Sequence, residues 1–351
     1  MSFSSIMLLL AMLMPLAKPQ SPRETTIVLY LQDLASGPDA TVVPITGIQG
    51  KPQSFTSFGT IFAIDDIITE TPDKVSAQIG RAQGILVASS LSGSHVHVSM
   101  SLAFTNVEYN GSSLEIQGIS RQFERYKEVS VVSGTGSFRY ARGYATLETV
   151  FYDNKTSYSI IRCTVSSHQP IALTFIPNLN ALSTMLLMVL AVTTSLVLAS
   201  HEVKETQLSF YFQDIFAGPN ATDIPFAGIS GKAWTFTQFA TLYAIDDPVT
   251  EGSHPNSASV GRVQGTSMTS ALDGLNAHVL FSIVFTNKKY NGSTLQIQGI
   301  DKQFEPVREL SVVSGTGKFR FVRGYITFET ISVDIPNSYA VIRCNVTVKH
   351  Y

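Results

Sequence analysis

The sequence predicts an all-β protein built from two tandem eight-stranded antiparallel up-and-down β-barrels. Apolar and polar residues alternate along short segments, turn residues separate these segments, and the second half of the chain repeats the first. No amphipathic helix of useful length is apparent. Closure of the strands into a barrel removes exposed sheet edges, so a barrel is the simplest architecture, and a two-sheet sandwich is the alternative.

About eight strands are predicted in the first half of the chain from alternating apolar residues. They are ETTIVLYLQD, SFTSFGTIFAIDD, AQIGRAQGILVAS, VHVSMSLAFTN, SLEIQGIS, EVSVV, FRYARGYATLET and SYSIIRCTVSS. Turns are predicted at NGS, at SGTGS and in the Pro-rich loops, because these residues favour tight backbone reversals.

The first strand is apolar on both faces. Ile27, Leu29, Leu31 and Asp33 share one face, and Val28 lies on the other. Apolar residues both inside and outside a barrel predict that the outer wall is covered, most simply by another subunit. An oligomer is therefore expected.

The second half of the chain repeats the first with a constant offset of 181 residues, which is the distance from Ser130 to Ser311. SVVSGTGSFRYARGYATLET returns as SVVSGTGKFRFVRGYITFET, and VEYNGSSLEIQGI returns as KKYNGSTLQIQGI. Roughly half of the aligned positions are identical, which indicates duplication of a whole domain and not a short solenoid repeat.

The repeat divides the 351 residues into five predicted segments. These are a signal peptide at 1–22, copy 1 at 23–170, a join at 171–181, an apolar signal-like segment at 182–200, and copy 2 at 201–351. The internal apolar segment aligns with the N-terminal leader, so we interpret it as a relict or misjoined second signal peptide from fused neighbouring genes. A membrane span is the alternative.

Composition limits the partners and the cell compartment. Charged residues make up 14% of the chain and the net charge is −2, so no nucleic-acid-binding surface is expected. The two cysteines exclude a disulfide-rich scaffold; a buried free thiol is expected at Cys163 and Cys344, with a bridge between the copies as the alternative. Secretion is predicted from the leader and from five acceptor sites for N-glycosylation: Asn110, Asn154, Asn220, Asn291 and Asn345.

Three motifs suggest chemistry, but a structural explanation is simpler for each. SGTG precedes a strand-like segment and not a helix, so a hairpin turn is favoured over a phosphate-binding loop. Asp65 and Asp66, repeated as Asp246 and Asp247, are adjacent and must point to opposite faces. They are assigned to a turn or strand end, with a site role for one Asp as the alternative. His95 and His97 lack a third metal ligand in an obvious motif, and no metal site is expected.

One acidic residue in each copy continues an apolar strand face. Asp33, and likewise Asp214 in copy 2, follows apolar residues at alternate positions. If that face lines a barrel, poor solvation would raise the pKa of the carboxyl and make it a general acid. The alternative is that the residue only ends the strand and accepts hydrogen bonds from turn amides.

Several motifs, in the same order in both copies, resemble the dirigent protein family of plants: YLQD and YFQD, FGTIFAIDD and FATLYAIDD, GRAQG and GRVQG, FTNVEYNGSSLEIQG, and VVSGTGKFRFVRGY. The resemblance implies a barrel like that of allene oxide cyclase, assembled as trimers, secreted to the cell wall and containing an apolar pocket. It implies no cofactor. A laccase or peroxidase would make phenoxy radicals from coniferyl alcohol, and the protein would orient their coupling into one lignan enantiomer.

The resemblance also implies pocket residues, which differ between the copies. The family's first acid matches Asp33 and Asp214, and its second acid matches Asp301 but is Ser120 in copy 1. The pocket arginine matches Arg308, where copy 1 has Lys127, which lacks the planar guanidinium. The tyrosine of lignan-forming members is replaced by Leu86 and Ser267, and the family's N-terminal cysteine is missing.

Copy 2 is therefore the predicted functional pocket, and copy 1 is expected to have an altered or lost activity. Two alternatives to radical coupling remain. One is an isomerase or cyclase that acts on a quinone methide or lipid-like substrate inside the same barrel. The other is a non-catalytic wall or defence protein that binds phenolics.

Overall fold

The computed structural model describes residues 23–169 and 204–350, which form two separate nine-stranded antiparallel sheets. Each sheet closes into an eight-stranded barrel and carries one additional short strand, so the predicted fold is confirmed. The signal peptide, the join and the internal apolar segment predicted at 1–22, 171–181 and 182–200 lie outside the described residues. None of the residues described forms a helix long and apolar enough to cross a membrane.

The two copies contain the same elements in the same order. Copy 1 comprises β1 (Arg23–Leu34), β2 (Val42–Thr46), β3 (Ile61–Thr69), β4 (Gln78–Ala88), β5 (His95–Phe104), β6 (Ser113–Arg121), β7 (Tyr126–Gly134), β8 (Arg142–Asp153) and β9 (Tyr158–Gln169). Copy 2 comprises β10 (Lys204–Ile215), β11 (Asp223–Ala227), β12 (Leu242–Thr250), β13 (Ser259–Thr269), β14 (Asn276–Phe285), β15 (Thr294–Lys302), β16 (Arg308–Thr316), β17 (Arg323–Asp334) and β18 (Tyr339–His350).

Barrel closure depends on the first strand of each copy, which pairs on both of its edges. β1 pairs with β9 along its whole length and with β3 through Tyr30 opposite Thr69. β10 repeats this arrangement with β18 and β12, where Phe212 lies opposite Val249. The short strands β2 and β11 add to β3 and β12 outside the closed ring.

The alternation along each strand puts one apolar face inside its barrel. In β1, Leu29 and Leu31 are buried in the core of copy 1 whereas Val28 is exposed. The core of copy 2 is richer in aromatic residues, with Phe212, Phe281 and Phe328 as examples. Because the inward face of β10 is continuous, the acid at its end, Asp214, also points into the barrel.

The two barrels pack against each other. A third apolar cluster joins Ile45 and Ala63 of copy 1 to Phe239, Leu242 and Met268 of copy 2. Part of the outer wall of each barrel is therefore covered by the other barrel of the same chain. The expected oligomer stays a prediction.

Candidate functional site

Three largely buried carboxyl groups from the first three strands of copy 2 lie close enough to influence one another electrostatically. Asp214 lies on β10, Asp223 on β11 and Asp247 on β12. They are neighbours because β12 pairs with both β10 and β11. One carboxylate oxygen of Asp214 and one of Asp223 are buried without a hydrogen-bond partner in the part of the chain that the structure describes. Asp247 Oδ1 accepts a hydrogen bond of 2.6 Å from Thr222 Oγ1.

Burial makes these three carboxyls weaker acids than an exposed aspartic acid. The pKa of each is raised to about 7, first by burial and second by negative charge on a neighbour: Asp223 acts on Asp214, Asp247 on Asp223, and Asp214 on Asp247. At and below pH 7 the cluster therefore holds protons that it can donate. The prediction of a poorly solvated acid at Asp214 agrees with this environment.

An acid and an arginine form a second polar group in copy 2. Asp301 Oδ1 on β15 lies 3.1 Å from Arg308 Nε on β16, and both side chains are largely buried. Arg308 Nη1 donates a 3.1 Å hydrogen bond to the carbonyl of Gln303, but its Nη2 has no hydrogen-bond partner. Burial raises the pKa of Asp301, and the guanidinium of Arg308 opposes this shift. The unpaired Nη2 leaves a donor for a polar group of a ligand.

The Cys344 thiol is close enough to both polar groups for their charges to change its pKa. Burial raises its pKa well above the usual value, while Arg308 lowers it and Asp301 and Asp247 raise it further. Both charged groups therefore lie within electrostatic range of the same thiol. Cys344 and Cys163 are free and buried, each within its own barrel, as predicted.

Aromatic side chains pack against one another in the core of copy 2. The ring of Phe212 lies 6.1 Å from that of Phe281 and 5.5 Å from that of Phe328. Tyr243 on β12 has its pKa raised to about 12 by burial and by the charge of Asp223, so its phenol remains a hydrogen-bond donor. This combination of rings, protonated acids and a phenol suits a phenolic ligand.

Copy 1 keeps only part of the arrangement. Asp33 interacts with Asp66 on β3; burial raises the pKa of Asp33 to about 6 and raises that of Asp66 well above its usual range. Val42 and Phe62 occupy the positions of Asp223 and Tyr243. Copy 1 therefore has two interacting carboxyls where copy 2 has three and a phenol.

The second polar group is absent from the corresponding place in copy 1. Ser120 stands in place of Asp301, and Lys127, in place of Arg308, is half-buried with its Nζ 3.4 Å from Thr149 Oγ1. Burial lowers the pKa of Lys127. The predicted site residues Asp33 and Lys127 thus form no equivalent of the Asp301–Arg308 ion pair.

The adjacent acids of β3 have separate roles. Asp66 points inward and its Oδ1 accepts a 2.6 Å hydrogen bond from Thr41 Oγ1, while Asp65 points outward and pairs with Arg81. Their opposite orientation was predicted correctly. Their assignment to a turn or strand end was wrong, because both lie inside β3. The alternative of a site role for one of them stays a prediction.

The other two motifs have structural roles. SGTG leads from β7 through a 3-10 turn at Gly136–Phe138 into β8, so it is a connection between strands. His97 is half-buried, and burial lowers its pKa. Within 23–169 and 204–350 no group of three or more His, Cys, Asp or Glu side chains is placed to hold a metal ion.

Comparison with known proteins identifies relatives of each half. The family model for dirigent-like proteins matches residues 24–167 and again 205–349. Pterocarpan synthase 1 of Glycyrrhiza echinata is 37% identical over 156 residues, which are 44% of this chain and 83% of that protein. Dirigent protein 1 of Arabidopsis thaliana is 34% identical over 183 residues, covering 50% of this chain and 98% of that protein.

A solved structure of a pterocarpan synthase dirigent protein is also similar, with 37% identity and a TM-score of 0.40. It aligns with 43% of this chain and 88% of its own. Because the two matches to the family model together span most of the sequence, the chain belongs to the dirigent family and contains two dirigent domains in tandem.

Proposed function

We propose that the copy 2 barrel binds a phenolic substrate and directs its ring closure to one enantiomer. The observation that carries this proposal is the cluster of Asp214, Asp223 and Asp247, whose pKa values are raised to about 7 and whose first member shares the inward face of β10 with Phe212. A general acid is most useful when its pKa lies close to the working pH. The fixed aromatic wall would hold the substrate in one orientation.

The chemical step is the closure of a quinone methide. A carboxyl of the cluster donates its proton to the quinone methide carbonyl oxygen, which becomes a phenol. A hydroxyl group of the same substrate attacks the methide carbon and forms a C–O bond, and its proton returns to the carboxylate. No electron is gained or lost in this step. A difference of a few kcal/mol between the two directions of attack gives one enantiomer in large excess.

The leading source of the quinone methide is radical coupling. A separate laccase or peroxidase oxidises coniferyl alcohol or a related phenylpropanoid to phenoxy radicals, and two radicals couple in the barrel to give an optically active lignan. The protein then guides the coupling and needs no oxidising centre of its own. Arg308 Nη2, which has no hydrogen-bond partner among the described residues, provides a contact for a polar end of the substrate.

The second candidate is an isomerase or cyclase that acts on an isolated substrate without an oxidant. Two observations favour it: the matched relatives include pterocarpan synthases, and the third acid of copy 2 adds proton-donating capacity. A protein that only binds phenolics in the wall or in defence is the remaining alternative.

The proposed location is the plant cell wall and apoplast. All five predicted glycosylation sites are exposed, as glycan attachment requires: Asn110, Asn154, Asn220, Asn291 and Asn345. This exposure supports the proposal of a secreted glycoprotein.

The full chain can be tested with laccase and coniferyl alcohol, with product handedness measured by chiral chromatography. We expect one enantiomer in excess, loss of that excess in Asp214→Asn, and little change in the matched copy 1 variant Asp33→Asn. Racemic product from the wild-type chain would reject radical coupling of this substrate. Turnover of a quinone methide precursor without laccase would support the cyclase, and binding without either effect would support the non-catalytic alternative.

A further inference from the structure

The five acceptor sites for N-glycosylation differ in the residue that lies two positions before the asparagine. At Asn154 this residue is aromatic, Tyr152. At the other four sites it is Glu108, Gly218, Lys289 or Arg343. Residues two apart on a strand point to the same side, so a ring at this position can lie next to a sugar attached to the asparagine.

Asn154 lies in the hairpin that joins β8 to β9, and hydrogen bonds hold this hairpin in place. Asp153 Oδ1 accepts a 2.9 Å hydrogen bond from the amide of Lys155, and Asp153 Oδ2 accepts one of 2.8 Å from Thr156 Oγ1. Ser36 Oγ donates a 2.8 Å hydrogen bond to the carbonyl of Thr156 and so ties the hairpin to the segment that follows β1. The turn therefore fixes Asn154 relative to the end of β8.

Tyr152 lies beside the acceptor asparagine. Its hydroxyl donates a 3.4 Å hydrogen bond to Asn154 Oδ1. Tyr152 is 59% exposed, and Asn154 is exposed as well. A glycan is attached through Nδ2 of an asparagine, so Oδ1 remains an acceptor and this hydrogen bond can persist after attachment. The ring is thus available to a sugar on the neighbouring nitrogen.

The first sugar of an N-glycan, N-acetylglucosamine, presents a face of C–H groups. These groups carry a partial positive charge and are attracted to the negative face of an aromatic ring, and the contact removes apolar surface from water. Because the hairpin already holds Tyr152 next to Asn154, little further ordering of the protein opposes the contact.

The two other acceptor sites with a nearby tyrosine do not offer its ring to a sugar. Tyr109, which directly precedes Asn110, packs against Phe104 in the core of copy 1. Tyr290, which directly precedes Asn291, packs in the same way in the core of copy 2. Both rings are therefore engaged within the protein.

The β8–β9 hairpin stands at the end of the copy 1 barrel that contains Asp33. Tyr152 pairs with Ser159 on β9, and Ser159 pairs with Asp33 on β1. Directly paired residues of antiparallel strands point to the same face of a sheet. Tyr152 therefore extends the inward face on which Asp33 lies, and a sugar on its ring is placed at this end of the barrel.

The corresponding hairpin of copy 2 has neither the ring nor the acceptor. The counterparts of Tyr152 and Asn154 are Val333 and Ile335. Val333 lies on the same face as Asp214, as the pairing of the three strands shows. The barrel end that contains Asp214 thus has no attachment site at its hairpin.

We propose that Asn154 carries an N-glycan whose first N-acetylglucosamine packs on the ring of Tyr152. Attachment joins Asn154 Nδ2 to C1 of the sugar and breaks the bond from C1 to the diphosphate of a lipid-linked donor; Nδ2 loses one proton and the lipid diphosphate leaves. The contact stabilises the β8–β9 hairpin and places a sugar at the Asp33 end of copy 1. Glycosylation of Asn154 rests on the proposed secretion of the chain, because N-glycans are attached in the secretory pathway.

Hydrogen exchange of the hairpin amides tests the contact, measured by mass spectrometry on peptides from residues 150–160 of the full chain expressed in plant cell culture. Trimming with an endoglycosidase leaves one N-acetylglucosamine at each occupied site. We expect exchange about two- to tenfold slower in this glycoprotein than in Asn154→Gln from the same cells. The sugar should have no such effect in Tyr152→Ala, and it should keep its effect in Tyr152→Phe, which retains the ring.

Two controls separate the sugar from the change of side chain. In a chain made in bacteria without N-glycosylation, Asn154→Gln should leave the exchange of the hairpin unchanged. In the glycoprotein, Asn110→Gln removes a different acceptor from copy 1 and should likewise leave it unchanged.

Three outcomes would contradict the proposed contact. A secreted chain with glycans at other sites and none at Asn154 would overturn it and leave the proposed secretion intact. A chain retained in the cell with all five sites unmodified would contradict both. Equal exchange with and without the sugar, or a sugar effect that persists in Tyr152→Ala, would show that the ring does not hold the sugar.

Discussion

The acids of copy 2 illustrate which site residues a sequence can reveal. Asp214 is predictable because it continues an inward face that begins at Phe210 and Phe212. Asp223 was missed, and a site role for Asp247 was left only as an alternative, because both approach Asp214 only when β12 pairs with β10 and closes the barrel. A comparison at the 181-residue offset would have indicated Asp223, since Val42 occupies its place in copy 1.

Asp223→Asn should lower the pKa of Asp214, because ionised Asp223 is a cause of its elevated value. Any activity that needs protonated Asp214 is highest below pH about 7 and falls as the pH rises through the pKa. The alkaline limit of product selectivity should therefore move to lower pH in the variant. Selectivity measured across pH checks this shift, and Asp33→Asn in copy 1 is the matched control. An unchanged alkaline limit of selectivity in Asp223→Asn would contradict the proposed effect of Asp223 on the pKa of Asp214.

Asp301→Ala should destabilise copy 2 by about 3 kcal/mol, because Arg308 would remain buried without a charge partner. The double variant Asp301→Ser/Arg308→Lys introduces the pair found in copy 1 and should lose less stability. A buried lysine can release its proton, whereas an arginine retains its charge. Chemical denaturation monitored by the fluorescence of Trp234, which is in copy 2, gives both free energies. Equal losses of stability in Asp301→Ala and in the double variant would show that the unpaired charge of buried Arg308 does not cause the loss.

Among the strands, the long alternating segments were predicted well and the irregular ones were not. β2 is short and contains Pro44, so its weak pattern concealed it. The predicted strand from Ser54 to Asp66 begins only at Ile61, because the preceding residues form turns and Gly59 has a φ of +83°. These features depend on local backbone geometry that an apolar pattern does not encode.

Close approach between strands explains a glycine in the GRVQG motif. A Cβ atom on Gly261 would lie 2.0 Å from the carbonyl oxygen of Val284 on the adjacent strand, which neither backbone can accommodate without moving. Gly261→Ala should therefore destabilise copy 2 by more than about 2 kcal/mol. Denaturant unfolding measures the loss. The control is Gly47→Ala in a loop of copy 1, where the nearest atom would be 3.4 Å away; a similar loss in both variants would rule out the steric explanation.

At the scale of the whole molecule, the constant offset predicted two barrels but could not predict how they pack. Each of two contacts, Ile45 with Phe239 and Ser99 with His278, involves one position that differs between the copies. Position 99 of copy 1 is serine while its counterpart in copy 2 is Leu280, so duplication alone does not fix the interface. Divergence between the copies has given each barrel its own surface chemistry.

His278 makes the contact between the barrels sensitive to acid. It is buried between Ser99 and Ser101, and burial lowers its pKa to about 3. An unfolded histidine takes up a proton near pH 6.5, so the folded chain loses stability as the pH falls from about 6.5 towards 3, at up to about 1.4 kcal/mol per pH unit. Glu115, which accepts a hydrogen bond from Ser101, has the opposite effect: burial raises its pKa to about 7, so its contribution is lost as the pH rises from about 4.5 to 7.

His278→Gln should therefore flatten the acid side of the stability curve and leave the effect of Glu115 in place. The midpoint of thermal unfolding, measured for the full chain between pH 4 and pH 7, gives this dependence. The duplicated chain supplies the matched control, because His97 occupies the equivalent position in copy 1 but is only half-buried. His97→Gln should change the acid dependence less. If both variants lose stability towards acid as steeply as the wild type, the buried imidazole between the barrels is not the acid-sensitive group.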